Sequence, residues 1–395
     1  MTTRNQETLP SRVVDACGFS CAVCMVLDIA KEDIMFTFNE DELKVVGQNS
    51  VPAIYSVGDT VTPKWNTPIT PKENMIRMLD KDKMPLWVPN QTLDNNALQP
   101  LVMPDAFARA KGGVDWFGID WTFDELTKAA MVTPGFTRID DIADWRELEF
   151  PDLDAIDWQA DYEKNFAGRI DPDRLTYFVI VNGMFERTAD LIGFEEAFCA
   201  LLTDADELDE FWTELDEFHM KLIDIAHDVY GADMILFHDD MGTQRSTFFS
   251  PDLYKDLLSP HYKKICDHIH SRGMYTCRHS CGCIGTLLQH YIDEGWDAWE
   301  GQDSANDKVA QMQEFGADLA QCTLYIVDGE LSDEEAVADV RQHVDELGLT
   351  GRYACRLKDP KAAEREVDLA EELYRYSRTK LAEQAEKAGE ASKVA

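Results

Sequence analysis

The stretch CRHSCGC, Cys277 to Cys283, sets one histidine and three cysteines close together. Thiolate and imidazole are zinc ligands, at about 2.3 Å for sulfur and about 2.0–2.1 Å for nitrogen, and a catalytic zinc takes three protein ligands and keeps one position open. Side chains alternate faces along a strand, so His279 and Cys281 share one face while Arg278 and Ser280 take the other. Two ligands are then preplaced. A lone cysteine is more often a small core hydrophobe than a ligand, but further cysteines end other apolar runs of this chain. Cys355, in RYACR, is the first choice for a third ligand; Cys322, in DLAQC, competes with it. Cys283, next to Gly282, is expected to turn away.

Other groups suit proton handling and substrate contact. In HDDMGTQ, Asp239 and Asp240 are adjacent, so at most one faces the barrel axis as general base or ligand support, and the other bonds a backbone amide. The aromatics Trp116, Phe117, Trp121 and Phe123 of DWFGIDWTF are core, or a flat wall for an aromatic substrate or cofactor if they reach the rim. Cys17, Cys21 and Cys24 have the C-x3-C-x2-C spacing of an iron–sulfur cluster, but they precede every strand candidate, in a run that reads as a buried helix.

The elements that must position these groups are short apolar runs alternating with helical patterns. Eight runs recur: 86–90, 114–120, 176–183, 233–240, 274–282, 297–302, 318–322 and 352–356. Several are nearly continuous in apolar residues, as parallel strands covered on both faces are. Ser250 and Pro251 open a helix, Ser259 and Pro260 restart it, and Gly273 stops it. Alternation of this kind predicts an α/β chain, a (β/α)8 TIM barrel. The expected layout is an N-terminal helical extension over 1–83, a barrel domain over 84–380 and a flexible tail over 381–395. Active sites of such barrels lie at the C-terminal ends of the strands. Those ends carry Asn90, Asp120, Asn182, His238, Asp239, Asp240, His279, Cys281, Glu300, Gln302, Cys322 and Cys355.

Composition narrows the partners. Lys and Arg number 37 against 75 Asp and Glu, a formal charge of −38, which repels nucleic-acid phosphates and anionic lipid. No apolar stretch approaches the ~20 residues of a membrane span, and MTTRNQETLPSR has no basic-then-apolar leader pattern, so a cytoplasmic protein is expected. In that compartment the ten cysteines are thiols, available as core, ligands or reactive groups.

FHDDMGTQ, then FFSPDLYKDLLSPHYKKICDHIHSRGMYTCRHSCGCI, then GWDAWEGQ, with KENMIRML before WVPN and MFERTADLIGFEEAF after the third run, resemble the uroporphyrinogen decarboxylase superfamily, specifically its corrinoid-dependent methyltransferase branch. The resemblance runs from about residue 70 to 360. It implies a (β/α)8 barrel and a zinc ion held by His279, Cys281 and a later cysteine, Cys355 or Cys322. This chain has YACR where the family's loop reads like APGC. Decarboxylation of uroporphyrinogen is disfavoured, because WVPNQTLDNN carries no arginine for a polycarboxylate. The extended N-terminus and GGVDWFGIDW look more like the methyltransferase component of an O-demethylase, which moves methyl from an aromatic methyl ether to cobalt. The resemblance then implies Asp239 or Glu300 as groups that orient ligands or manage a proton. Asn90, Trp116, Phe117, Trp121, Asn182 and Gln302 are the expected substrate contacts. No D-x-H-x-x-G signature is present, so the corrinoid (cobalamin) is expected on a separate corrinoid protein. A homodimer is expected from the resemblance only. The alternatives are methyl transfer from a methylated corrinoid to a thiol, a decarboxylase, and a barrel that only binds a corrinoid.

Overall fold

A computed structural model describes residues 37–126 and 128–394 of the chain. Cys17, Cys21 and Cys24 lie outside the described residues. Among the described residues, an antiparallel hairpin of β1 (Val45–Pro52) with β2 (Asp59–Trp65) precedes α1 (Pro71–Leu79). Thr70 caps α1 by accepting from the Glu73 N–H, and Pro71 follows it where a missing N–H costs nothing. The extension expected to be helical thus carries a β-hairpin as well as helix in its described part.

Seven parallel strands curl into the sheet that carries the fold: β3 (Asn95–Leu98), β7 (Leu175–Ile180), β8 (Met234–His238), β9 (Tyr275–Ser280), β10 (Ala298–Gln302), β11 (Ala320–Ile326) and β12 (Tyr353–Lys358). Each pairs with the next in that order. The 86–90 run lies along the open edge of β12, where the Cys355 N–H donates to the Pro89 carbonyl at 3.0 Å and Asn90 bridges Cys355. That contact supplies the eighth position, so the architecture is the TIM-barrel type.

One expected barrel strand is elsewhere. The 114–120 run contributes to a small antiparallel sheet, β4 (Gly113–Val114), β5 (Asp120–Asp124) and β6 (Ala129–Val132), that follows α2 (Pro104–Lys111). Its place in the barrel is taken by β3, whose sequence NNAL is half amide. Asn96 points outward, and its amide donates to the Asp171 and Arg174 carbonyls and to Thr176. A strand built on side-chain hydrogen bonds has no apolar pattern to read.

The covering helices are α3 (Trp158–Asn165), α4 (Met184–Ile192), α5 (Phe194–Thr203), α6 (Ala205–Asp228), α7 (Ser259–Ser271), α8 (Leu288–Glu294), α9 (Lys308–Phe315), α10 (Asp333–Glu346) and α11 (Leu369–Val394). Ser250 caps the approach to α7 as expected, accepting from the Leu253 N–H. Pro260 lacks the N–H that would continue the ladder, and the preceding turn, Tyr254–Leu258, is π-helical. The expected tail from 381 onward is the continuation of α11 up to Val394.

The barrel interior is filled by Tyr177, Leu236, Cys277, Ala298, Cys322 and Ala354, and a separate layer between the sheet and the outer helices holds Val88, Val340, Tyr353 and Cys355. On β12, then, Ala354 and Arg356 face in while Tyr353 and Cys355 face out. None of the described helices is long and apolar enough to cross a membrane.

Candidate metal centre at the barrel mouth

The strand alternation that pairs His279 with Cys281 also pairs His238 with Asp240 on the neighbouring strand. Register sets His238 beside His279, and their imidazoles stack with centroids 4.2 Å apart and planes 11° from parallel. The His279 Nε2 lies 3.5 Å from the Cys281 Sγ and 3.7 Å from the Asp240 Oδ1, which is 3.9 Å from the His238 Nε2. Ligands bound tetrahedrally at about 2.0–2.3 Å stand roughly 3.3–3.8 Å apart. These separations are close to tetrahedral edges, and one nitrogen each from His238 and His279 and one oxygen from Asp240 all lie within 4.8 Å of one another.

Both histidines are oriented from behind. The His279 Nδ1 is 2.8 Å from Glu300, whose other oxygen takes the Arg356 guanidinium at 3.1 Å. The His238 Nδ1 is 2.7 Å from Glu186, whose other oxygen takes Arg109 at 3.1 Å. A carboxylate on Nδ1 fixes the ring and leaves Nε2 to a metal, an arrangement common to metal-binding histidines. Burial pushes the Glu300 carboxyl up, but Arg356 and then the His279 hydrogen bond outweigh it and hold it at about 2. Glu186 is held well below the usual carboxylate range: burial opposes this, and the charges of His238 and Arg109 prevail. His279 is lowered by burial and by His238, yet hydrogen bonds to Cys281 and Glu300 bring it up to about 9. Burial likewise lowers His238, and Glu186 with Asp240 raises it.

Backbone contacts lock the loops. The Cys281 N–H donates to the Asp240 Oδ1 at 2.6 Å, the Met241 N–H to the Ser280 hydroxyl at 2.9 Å, and the Cys283 N–H to the Thr243 carbonyl at 2.7 Å. Gly282, at φ +83°, fits because any Cβ there would collide with the Gly242 carbonyl. Gln302 accepts from the Gly282 N–H at 3.0 Å and from Gln244 at 2.9 Å. Its side chain thus holds the turn behind Cys281.

Tyr55, at the tip of the β1–β2 hairpin with φ +55°, is anchored by its N–H to Gln99 at 2.7 Å, and its ring centroid is 6.4 Å from that of His238. Burial, reinforced by Glu300, pushes its phenol far up although Arg356 and Arg109 oppose, so it stays protonated.

Several sequence expectations change. Cys355 is buried in the outer layer with Tyr353 and Val340, on the face away from His279. Cys322 is inside the barrel but partners Cys277 beneath the histidines. Neither cysteine lies beside His279; Asp240 and His238 do. Asp239, expected as a catalytic group, faces the helices: it accepts from the N–H groups of Phe185 at 3.0 Å and Glu186 at 2.8 Å and from the Tyr262 hydroxyl at 2.5 Å. It pins the start of α4 and so positions Glu186. Glu300, the other group expected to be catalytic, stands against the His279 Nδ1.

Among the expected substrate contacts, Asn90 caps the turn after the 86–90 run by accepting from the Thr92 N–H. Trp116 and Phe117 pack on Phe218, and Trp121 donates to Asp115 at 3.2 Å under Arg109. These rings are core of the 100–160 insertion, the bland reading of that cluster. Asn182 is wholly buried at φ +61° and accepts from Arg109, so it reaches the mouth only through that arginine. Tyr55, Arg109, Glu186 and Arg356 carried no signal in the sequence.

Paired histidines, a carboxylate and a thiol thus stand together at the mouth of a parallel barrel. The model of the uroporphyrinogen decarboxylase (URO-D) family matches residues 110–327, more than half of the chain. The chain belongs to that family. Among solved structures, a methyltransferase from Methanosarcina mazei is similar with a TM-score of 0.56 at 14% identity, over 79% of this chain and 99% of that one. At that identity the likeness shows the fold. No curated protein matches.

Proposed function

We propose that the chain is a zinc-dependent methyltransferase that moves a methyl group from a small methylated aromatic ether to the cobalt of a corrinoid carried on a separate protein. The observation that carries the reading is the convergence of one nitrogen each from His238 and His279 with the Asp240 carboxylate, with the Cys281 thiol 3.5 Å from the His279 Nε2. Mixed nitrogen, oxygen and sulfur donors with tetrahedral spacing suit zinc. When bound, zinc supplies Lewis acidity to an ether oxygen and to the phenolate it becomes.

The chain's own residues do the rest. Glu186 and Glu300 hold the imidazoles so that both Nε2 atoms meet one point. Their ionised carboxylates orient rather than exchange protons. As the carbon–oxygen bond breaks, its electron pair stays on the aromatic oxygen, which leaves as a phenolate, and the Tyr55 phenol, kept protonated beside His238, would donate a hydrogen bond to it without giving up its proton. A substrate with many carboxylates is disfavoured, since Arg109 is taken by Glu186 and Asn182 and Arg356 already holds Glu300 through one edge, which leaves a single arginine edge at the mouth.

The test is zinc content by elemental analysis, with methyl transfer from methoxyphenols to added cob(I)alamin followed by its visible spectrum. Wild type and Cys355→Ala are expected to hold about one zinc per chain, and His279→Ala and Asp240→Asn to lose both zinc and transfer. A zinc-free but fully active His279→Ala would refute the metal's role. Well-folded wild type that takes up zinc yet transfers no methyl from any methoxyphenol or methoxybenzoate would refute the substrate.

A further inference from the structure

Beside the metal centre, between the β1–β2 hairpin and strands β3, β7 and β12, lies a cavity of about 440 Å³. Tyr55, Tyr177 and Arg356 line it, and Arg356 also reaches Glu300, so the cavity adjoins the network that holds His279. Two features of its wall lack a structural explanation.

The first is charge. In a chain of formal charge −38, the charged residues lining this cavity are Arg356, Lys358 and Lys128, with no carboxylate among them. Lys128 pairs with Glu125 at the surface, while Lys358, at the exposed end of β12, has no carboxylate partner among the described residues. The second feature is unmet polarity. Gln91 and Asn95 are 4% and 3% exposed and both line the cavity, yet the Gln91 Nε2 and both amide atoms of Asn95 have no protein partner. Buried amides without partners destabilise the fold. Polar groups kept at that cost, among cations, suit an anionic ligand.

We infer that this cavity receives the anionic end of the methyl donor: a carboxylate on the side of the molecule away from its methylated oxygen, met by Lys358, the free edge of Arg356 and the amides of Gln91 and Asn95. The identity of this anion as part of a methyl donor rests on the function proposed above; the binding of a carboxylate does not. A neutral ether of the same shape would leave the lysine unpaired and the amides unmet, so the site selects by charge.

Calorimetric titration of the full chain with benzoate and with benzamide, its neutral isostere, tests this. Benzoate is expected to bind about tenfold or more tightly than benzamide. Lys358→Met, an exposed position that leaves the core intact, and Asn95→Ala are each expected to weaken benzoate severalfold and leave benzamide unchanged. Equal binding of the two probes, no binding of either, or benzoate affinity unaltered in both variants would overturn the inference. His279→Ala separates this from the metal reading: retained benzoate binding there supports the anion site, whereas its loss assigns the carboxylate to the metal and overturns it. Benzoate binding in a wild type without methyl transfer would sink the proposed function and leave the anion site standing.

Discussion

Replacing Glu300 by glutamine keeps an acceptor for the His279 Nδ1–H and removes only the charge behind it. Glu300 is 7% exposed in its side chain, so solvent screens this interaction little. Its carboxyl sits at about 2, against an ordinary value near 4.3, and each unit is worth about 1.4 kcal/mol. The folded surroundings therefore favour the charge by roughly 3 kcal/mol. Arg356 is the largest single favourable cause, and the hydrogen bond and charge of His279 follow it; taking roughly half of the total for His279 gives about 1–1.5 kcal/mol, or roughly tenfold in zinc affinity. That is the low end of the 10- to 100-fold range for groups that support a metal-binding histidine. The assay is competition for zinc against a fluorescent chelator, with circular dichroism to confirm the fold. Glu300→Gln with affinity within about twofold of wild type, while His279→Ala removes binding, would refute the view that this carboxylate tunes the ligand.

Two further predictions probe the frame. Burial raises Glu294 to about 7, against hydrogen bonds from Ser259, Trp296 and Tyr254 and the charge of Arg278. A carboxyl raised in the fold binds protons on folding, so its cost grows from about pH 4.3 and is complete above about pH 7, reaching on the order of 3 kcal/mol. Urea denaturation should show Glu294→Gln gaining on wild type between pH 5 and 8, and parallel curves would sink that account. Gly282→Ala places a Cβ at φ +83° against the Gly242 carbonyl, which costs at least about 1–2 kcal/mol. It should lower both thermal stability and zinc content, because the same turn aims Cys281; unchanged zinc affinity would show that the turn does not position the ligand.

The sequence alone determined those features that depend on local periodicity. Alternation along a strand put His279 and Cys281 on one face and allowed only one of Asp239 and Asp240 to look inward, and the parallel strands 176–183 through 352–356 stood out because both their faces are buried. His238 and Asp240 obeyed the same alternation, so this half of the centre was legible in FHDD. What tertiary structure decided was phase and proximity. Nothing in YACR tells whether Cys355 or its neighbours face inward, because Ala354 and Cys355 are both small and both fully buried, one inside the barrel and one under the helices. Register across β8, β9 and β10 brought two histidines and Glu300 together from distant segments, α4 delivered Glu186, and the hairpin delivered Tyr55. The aromatics of 116–123 and the amides of β3 misled for one physical reason: apolar character marks burial, and burial marks a barrel strand only when the barrel is what buries it.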